Sequence, residues 1–340
     1  MLKVGIWGFG GIATIHRRAY ATLEEKGVPV KLVALCDIRE EAFTKEVKIN
    51  ISDPNAKPLP KIDKCYTDID EMMEKEDLDL IDICLPAYLH ADAAIKALEK
   101  GYNVMSEKPM ALNYADCERM IEAAAKAKGK LMIGQCLRFQ NRYKYLKEAV
   151  ETGKYGKVVS AAFSRLSASP LWSWDNWYMD VNRSGGARLD LHVHDIDMIN
   201  NVFGMPARVS CVANGKEGLS GVDSVFTTMQ YDNGTVINAI GDWSYPGKFS
   251  FDFQFRVSFE KGTLVLDNDK GLYFYDENEV TEIDCPLNAH AIANELEYFV
   301  DIIENNKENT VNPIQSTANT IKLQDAMKES MLNGGKIIEL

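Results

Sequence analysis

The chain has no run of about 18 uninterrupted apolar residues, the length a helix needs to cross a bilayer, and its first residues turn polar and glycine-rich too early for a secretory leader. Positive charge is in deficit: 38 Lys and Arg stand against 50 Asp and Glu, and the net charge of -12 repels nucleic acid and anionic membranes. Paired cysteine spacings are missing as well. The seven cysteines (36, 65, 84, 117, 136, 211 and 285) are odd in number and scattered through apolar stretches, which points to reduced, mostly buried thiols and a cytoplasmic setting. Internal repeats and low-complexity tracts are also lacking. What remains is 340 residues, 46% apolar and 26% charged, a globular composition long enough for two domains.

From Leu2 to about Leu131 short apolar runs alternate with amphipathic ones, the pattern of parallel strands joined by crossover helices. Val4 to Trp7, Leu32 to Cys36, Leu80 to Cys84 and Asn103 to Met105 read as strands, and Ala91 to Gly101 as a helix with a glycine C-cap. The prolines of Ser52-Asp53-Pro54-Asn55-Ala56-Lys57-Pro58-Leu59-Pro60 lack backbone donors and predict an exposed loop. After Gly153 the texture becomes alternating (Val158 to Leu166, Val209 to Val212, Val225 to Tyr231, Val236 to Ile240, Phe249 to Phe259), with an Asp232-Asn233-Gly234 hairpin turn and a closing helix from Ser316 to Met331. The expected fold class is α/β, with a doubly wound dinucleotide-binding domain over residues 1–125. A second α/β domain with an open, largely antiparallel sheet is expected over 126–340.

Gly8-x-Gly10-x-x-Ala13 follows the first strand and precedes a helical stretch. Its first glycine permits the turn, its second lets backbone amides approach a pyrophosphate, and its small third residue lets helix and strand pack. The second strand ends at Asp37, where a carboxylate accepts the adenosine ribose hydroxyls. Asp37 repels a ribose phosphate and so favours NAD, whereas Arg39 offers that phosphate a partner and keeps NADP open.

In Ser106-Glu107-Lys108-Pro109 the proline keeps Lys108 out of the helical region, so the lysine sits extended at a strand's carboxyl end, where open α/β sheets bind ligands. There it can hydrogen-bond a substrate oxygen or exchange a proton with it. Further on, a helix beginning near Asp190 would put Asp190, His194 and Asp197 on one stripe, a carboxylate-flanked imidazole suited to deprotonating an alcohol. The same run also reads as a capped helix start with a structural histidine. His192 and His194, two apart on a helix, point in different directions and would not easily share a metal, so no metal site is expected.

These residues resemble the glucose-fructose oxidoreductase, inositol dehydrogenase and rhizopine-catabolism oxidoreductase family, Gfo/Idh/MocA, over essentially the whole chain. The resemblance is carried by the glycine loop, Leu85-Pro86-Ala87-Tyr88-Leu89-His90, Glu107-Lys108-Pro109 and Asp190-x-x-x-His194-x-x-Asp197, in that order. It implies catalytic roles for Lys108, Asp190 and His194, with His194 as the base. It also implies a cofactor lining that includes Gly8, Gly10, Gly11, Asp37, Pro86, His90 and Glu107, to which the adjoining Phe9, Ile12, Arg39, Leu85 and Lys108 are added. Dimers or tetramers through the second sheet follow from the same likeness. The chain departs from the family at His192, where glycine is frequent, and in the aromatic Trp172-Ser173-Trp174-Asp175-Asn176-Trp177-Tyr178. Rings beside carboxylate and amide groups suit a sugar, so Trp174, Asp175 and Trp177 join Arg138 and His192 as candidate substrate contacts. The expected activity is NAD(P)-dependent hydride transfer at a secondary alcohol or ketone of a sugar, sugar acid or cyclic polyol. The alternative is a lyase or glycosidase that holds NAD tightly for a transient oxidation without net redox change.

Overall fold

The computed structural model of the protein describes residues 1–44, 47, 49, 61–286 and 291–340, and the stretch Ser52 to Pro60, expected to be a loop, lies outside them. The chain forms two compact units, each drawn from three stretches: Met1–Cys136, Leu171–Trp177 and His290–Thr317 in the first, and Leu137–Pro170, Tyr178–Ala289 and Ala318–Leu340 in the second. The first unit therefore takes in residues from well beyond the single boundary expected at 125/126.

In the first unit β1 (Leu2–Trp7) turns into α1 (Gly11–Glu25). There follow β2 (Val30–Cys36), β3 (Cys65–Tyr66), α2 (Ile69–Lys75), β4 (Leu80–Ile83), α3 (His90–Glu99), β5 (Asn103–Glu107), α4 (Tyr114–Lys126) and β6 (Leu131–Gly134). The strands pair in parallel in the order β3-β2-β1-β4-β5-β6. A parallel sheet with helices on both faces buries its strands completely, which is why these segments read as continuous apolar runs. The order reverses between β1 and β4, and at such a switch point the connections diverge and leave a crevice at the carboxyl ends of the strands. Gly8, Asp37 and Lys108 follow directly on carboxyl ends, and Leu85 follows β4 after Cys84.

In the second unit α5 (Asn141–Glu151) and β7 (Val158–Ala168) precede three helical pieces, α6 (Val181–Ser184), α7 (Gly186–Asp190) and α8 (Val193–Phe203). The strands β8 (Arg208–Asn214), β9 (Ser224–Gln230), β10 (Val236–Tyr245), β11 (Asp252–Phe259), β12 (Gly262–Asp267), β13 (Gly271–Tyr275) and β14 (Val280–Glu282) follow, then α9 (Ala291–Glu304), α10 (Ile314–Leu332) and β15 (Ile338–Glu339). The nine-stranded sheet runs β14-β13-β12-β11-β7-β10-β9-β8-β15 and is antiparallel except where β7 lies parallel to β10. The Asp232-Asn233-Gly234 turn joins β9 to β10, with Gly234 at φ +88°. One face of the sheet meets Tyr143 and Leu146 of α5, Ile196 and Ile199 of α8 and Leu323 and Met327 of α10 in a single core. The late helix α9 instead belongs to the first unit, where Leu296, Phe299 and Val300 join Val4, Ile6, Leu80 and Met105. Among the described residues no helix is long and apolar enough to cross a membrane.

Candidate active site

The glycine loop is built for an anion. Gly8 has φ +90°, and a Cβ there would lie 2.8 Å from the Cys84 carbonyl oxygen, so only glycine fits. Gly10 caps α1 without a side-chain hydrogen bond, the first turn carries no acidic residue, and a Cβ on Gly10 would meet nothing within 4 Å. The helix thus points its first N–H groups and the positive end of its dipole at open space, which fits a pyrophosphate and hence the dinucleotide expected from the sequence. Phe9 is buried, whereas Gly11 and Ile12 are half-buried at the helix mouth.

Asp37 is buried at the end of β2 and accepts four N–H bonds: Phe9 N at 2.8 Å and Arg39 Nη2 at 2.9 Å on Oδ2, Arg39 N at 3.0 Å and Arg39 Nε at 2.9 Å on Oδ1. The carboxylate ties the glycine loop to the strand end. The Arg39 guanidinium also lies over the Trp174 ring, 5.5 Å from its centroid, so Trp174, expected at the substrate, touches an arginine expected at the cofactor. Trp174, Asp175 and Trp177 all belong to the first unit, and Asp175 and Asn176 are both left-handed, at φ +50° and +48°.

Leu85 and Pro86 follow β4, and the fully buried ring of His90 reaches two main-chain oxygens, with Nε2 2.8 Å from Leu85 O and Nδ1 2.7 Å from Pro109 O. Burial pulls its pKa below the ordinary histidine value. His90 thereby acts as a tie between the loops after β4 and β5. Lys108, half-buried and joined to Pro109 by a cis bond, donates its N–H to Glu107 Oε2 at 3.1 Å. Glu107 is buried and faces inward.

Its partner is a residue that the sequence reasoning missed. His16, on α1, has no exposed surface; its Nδ1 lies 2.7 Å from Asp82 Oδ2 and its Nε2 2.9 Å from Glu107 Oε1. Burial opposes charge on the ring, but Asp82, with Cys84 beside it, outweighs that and holds its pKa well above the ordinary value, and with a carboxylate on each nitrogen the imidazolium bridges Asp82 and Glu107. Glu107 in turn stays below the usual carboxylate range: burial works against its charge, and the bond from His16 overcomes that. Donor atoms of His16, Asp82 and Cys84 lie within 4.8 Å of one another, but a ring with both nitrogens on carboxylates has none left for a metal. The signal in the sequence was Asp82 itself, a charge inside an otherwise apolar buried strand.

In the second unit the expected single helix from Asp190 is two pieces. Gly185 and Gly186 take φ +74° and +65°, α7 ends at Asp190, and α8 begins at Val193 with His192 as its N-cap residue. Asp190, His194 and Asp197 therefore do not share one helical stripe. Asp197 pairs with Arg138 (Nε to Oδ2 2.8 Å, Nη2 to Oδ1 2.7 Å) and Asp195 pairs with Arg165 (2.9 and 3.0 Å), all buried. The substrate contact expected of Arg138 is thus taken by a carboxylate of the chain itself. His192 is fully buried, its Nε2 is 3.1 Å from Thr227 Oγ1, and burial with Arg165 and Arg188 nearby lowers its pKa to about 3. It lies inside the protein as a neutral ring. Asp190 and His194 are half-buried at the junction of the two helical pieces.

Residues 2–135 match the family model described as "Oxidoreductase family, NAD-binding Rossmann fold", and residues 143–265 match the "GFO/IDH/MocA C-terminal domain". A myo-inositol 2-dehydrogenase of Thermotoga maritima is 30% identical over 274 residues, 78% of this chain and 75% of that one. The chain belongs to the Gfo/Idh/MocA oxidoreductase family. Another relative, the 2,7-anhydro-N-acetylneuraminate hydratase of Mediterraneibacter gnavus, is 31% identical but over only 49% of this chain and 46% of its own. A structure of levoglucosan dehydrogenase in complex with NADH and levoglucosan superposes with a TM-score of 0.83 at 19% identity, covering 99% of both chains, and shares the fold. The cofactor of this family's first domain is NAD, and the matched residues 2–135 include the glycine loop and Asp37.

Proposed function

We propose that the protein is an NAD-dependent dehydrogenase that oxidises a secondary alcohol of a sugar, sugar acid or cyclic polyol, inositol-like rings first, or reduces the matching ketone. The observation that carries this reading is the likeness to myo-inositol 2-dehydrogenase, which spans three quarters of both chains, whereas the hydratase likeness spans half. NAD, when bound, accepts hydride at C4 of its nicotinamide. Backbone amides from Gly8 to Ile12 hold its pyrophosphate and Asp37 its adenosine ribose. The His194 imidazole takes the proton of the reacting hydroxyl, Asp190 stabilises the resulting imidazolium, and Lys108 Nζ donates a hydrogen bond to the same oxygen. Asp175 and Trp177 offer a carboxylate and a ring face to the sugar.

Seven free thiols support a reducing, cytoplasmic compartment. A homodimer or homotetramer is supported by the outward face of the second sheet, where exposed Val212 and Phe226 are cross-strand neighbours and Ile240 continues the row. The test is NADH formation, followed by absorbance, across a panel of cyclic polyols, aldoses and sugar acids. Turnover of at least one class is expected, and its loss by several orders of magnitude in Lys108→Ala and His194→Ala with NADH affinity retained. Near-wild-type turnover in either variant contradicts the assignment.

A further inference from the structure

The carboxylate of Asp37 has about four acceptor positions, and all are taken. Two belong to main-chain donors, Phe9 N and Arg39 N, which hold the glycine loop and the strand end in place. The other two belong to the Arg39 guanidinium. A ribose diol arriving at Asp37 has to replace the guanidinium bonds, because the main-chain bonds are part of the fold. Arg39 then loses its counter-ion and becomes a released planar cation next to the 2′ position, the group best suited to binding a 2′-phosphate in two-pronged fashion. Among the described residues its remaining partner is the face of Trp174, with 5.5 Å between guanidinium carbon and ring centroid.

We propose that Trp174 is a positioning residue for cofactor selectivity: its indole retains the Arg39 guanidinium once the ribose has taken Asp37, and so denies NADPH the cation that would pair with its 2′-phosphate. The inference rests on NAD binding at the glycine loop. It also gives a use to an aromatic residue that the substrate reading left on a cofactor-site arginine. The segment carrying Trp174 belongs to the first unit, and the ring is 42% exposed, so its replacement leaves the core intact.

The experiment measures dissociation constants for NADH and NADPH, by nucleotide fluorescence, on wild type, Trp174→Ala, Trp174→Phe, and Trp174→Ala combined with Arg39→Ala. Wild type should prefer NADH. Trp174→Ala should tighten NADPH about tenfold, the value of one charge-assisted contact, and change NADH by less than about twofold. Trp174→Phe, which keeps a ring face, should retain the wild-type ratio, and the double variant should lose the NADPH gain because that gain needs Arg39. An unchanged ratio in Trp174→Ala overturns the proposal, as does a gain that survives in the double variant. A raised substrate KM with an unchanged ratio returns Trp174 to the substrate and overturns it too. If wild type binds neither nucleotide, the cofactor site itself fails, which the wild-type titration alone reveals.

Discussion

His16→Leu removes the cation between Asp82 and Glu107 and leaves two carboxylates without their partner in the interior of the first unit. Taking one partner from a buried ion pair costs about 3–5 kcal/mol, because the remaining charge is desolvated and uncompensated. For a unit of this size each kcal/mol moves the midpoint by about 2–4 °C, so the first unit's transition should fall by roughly 6–20 °C. His16→Gln, whose amide can still donate to one carboxylate, should recover part of the loss. The assay is thermal unfolding with and without saturating NADH, alongside steady-state kinetics. Glu107 also accepts the Lys108 N–H, so kcat should fall in the folded variant more than NADH affinity does. A midpoint shift under about 2 °C, on a scale where one pair is worth several degrees, would refute the reasoning.

His192 titrates at about 3 in the folded protein and near 6.5 unfolded, so the folded state holds fewer protons between those values and acid favours unfolding. Stability is present in full above pH 6.5 and is lost on descent. Wild type should lose about 2 kcal/mol more than His192→Asn between pH 7 and pH 5, whereas parallel denaturation curves would contradict the buried neutral ring. Gly8→Ala must place a Cβ 2.8 Å from a main-chain oxygen at φ +90°, and should abolish NADH binding while destabilising the first unit, as titration and circular dichroism would read. Phe226→Asp on the outward sheet face should convert an oligomer to monomers in light scattering, and an unchanged mass would remove that face as the interface.

The first unit was readable from the sequence because its central strands are largely buried on both faces and apolar runs alternate with amphipathic helices, so composition reports topology directly. The glycine loop and Asp37 were readable because each meets a local demand: a left-handed turn at Gly8, an acceptor at a strand end. What could not be read was long-range. Helix α9 packs with strands roughly 160 to 300 residues upstream, and no pattern within either segment announces the other. The apolar spacing of Ile196, Ile199 and Phe203 was real, but the helix is interrupted at Leu191 and His192, and Arg138 claimed Asp197, which that spacing had placed beside His194. His16 was hidden for the same reason, since its partners lie 66 and 91 residues away.

The central claim is that a carbon-bound hydrogen of a polyol passes to the nicotinamide under control of Lys108 and His194. The most direct measurement supplies NAD with an accepted polyol deuterated at its reacting carbon and determines deuterium in the isolated NADH by mass spectrometry. Stoichiometric label in the released NADH, lost in Lys108→Ala and His194→Ala, is the predicted result. Product formed with no labelled NADH released would contradict it and indicate chemistry that returns the hydride to the substrate.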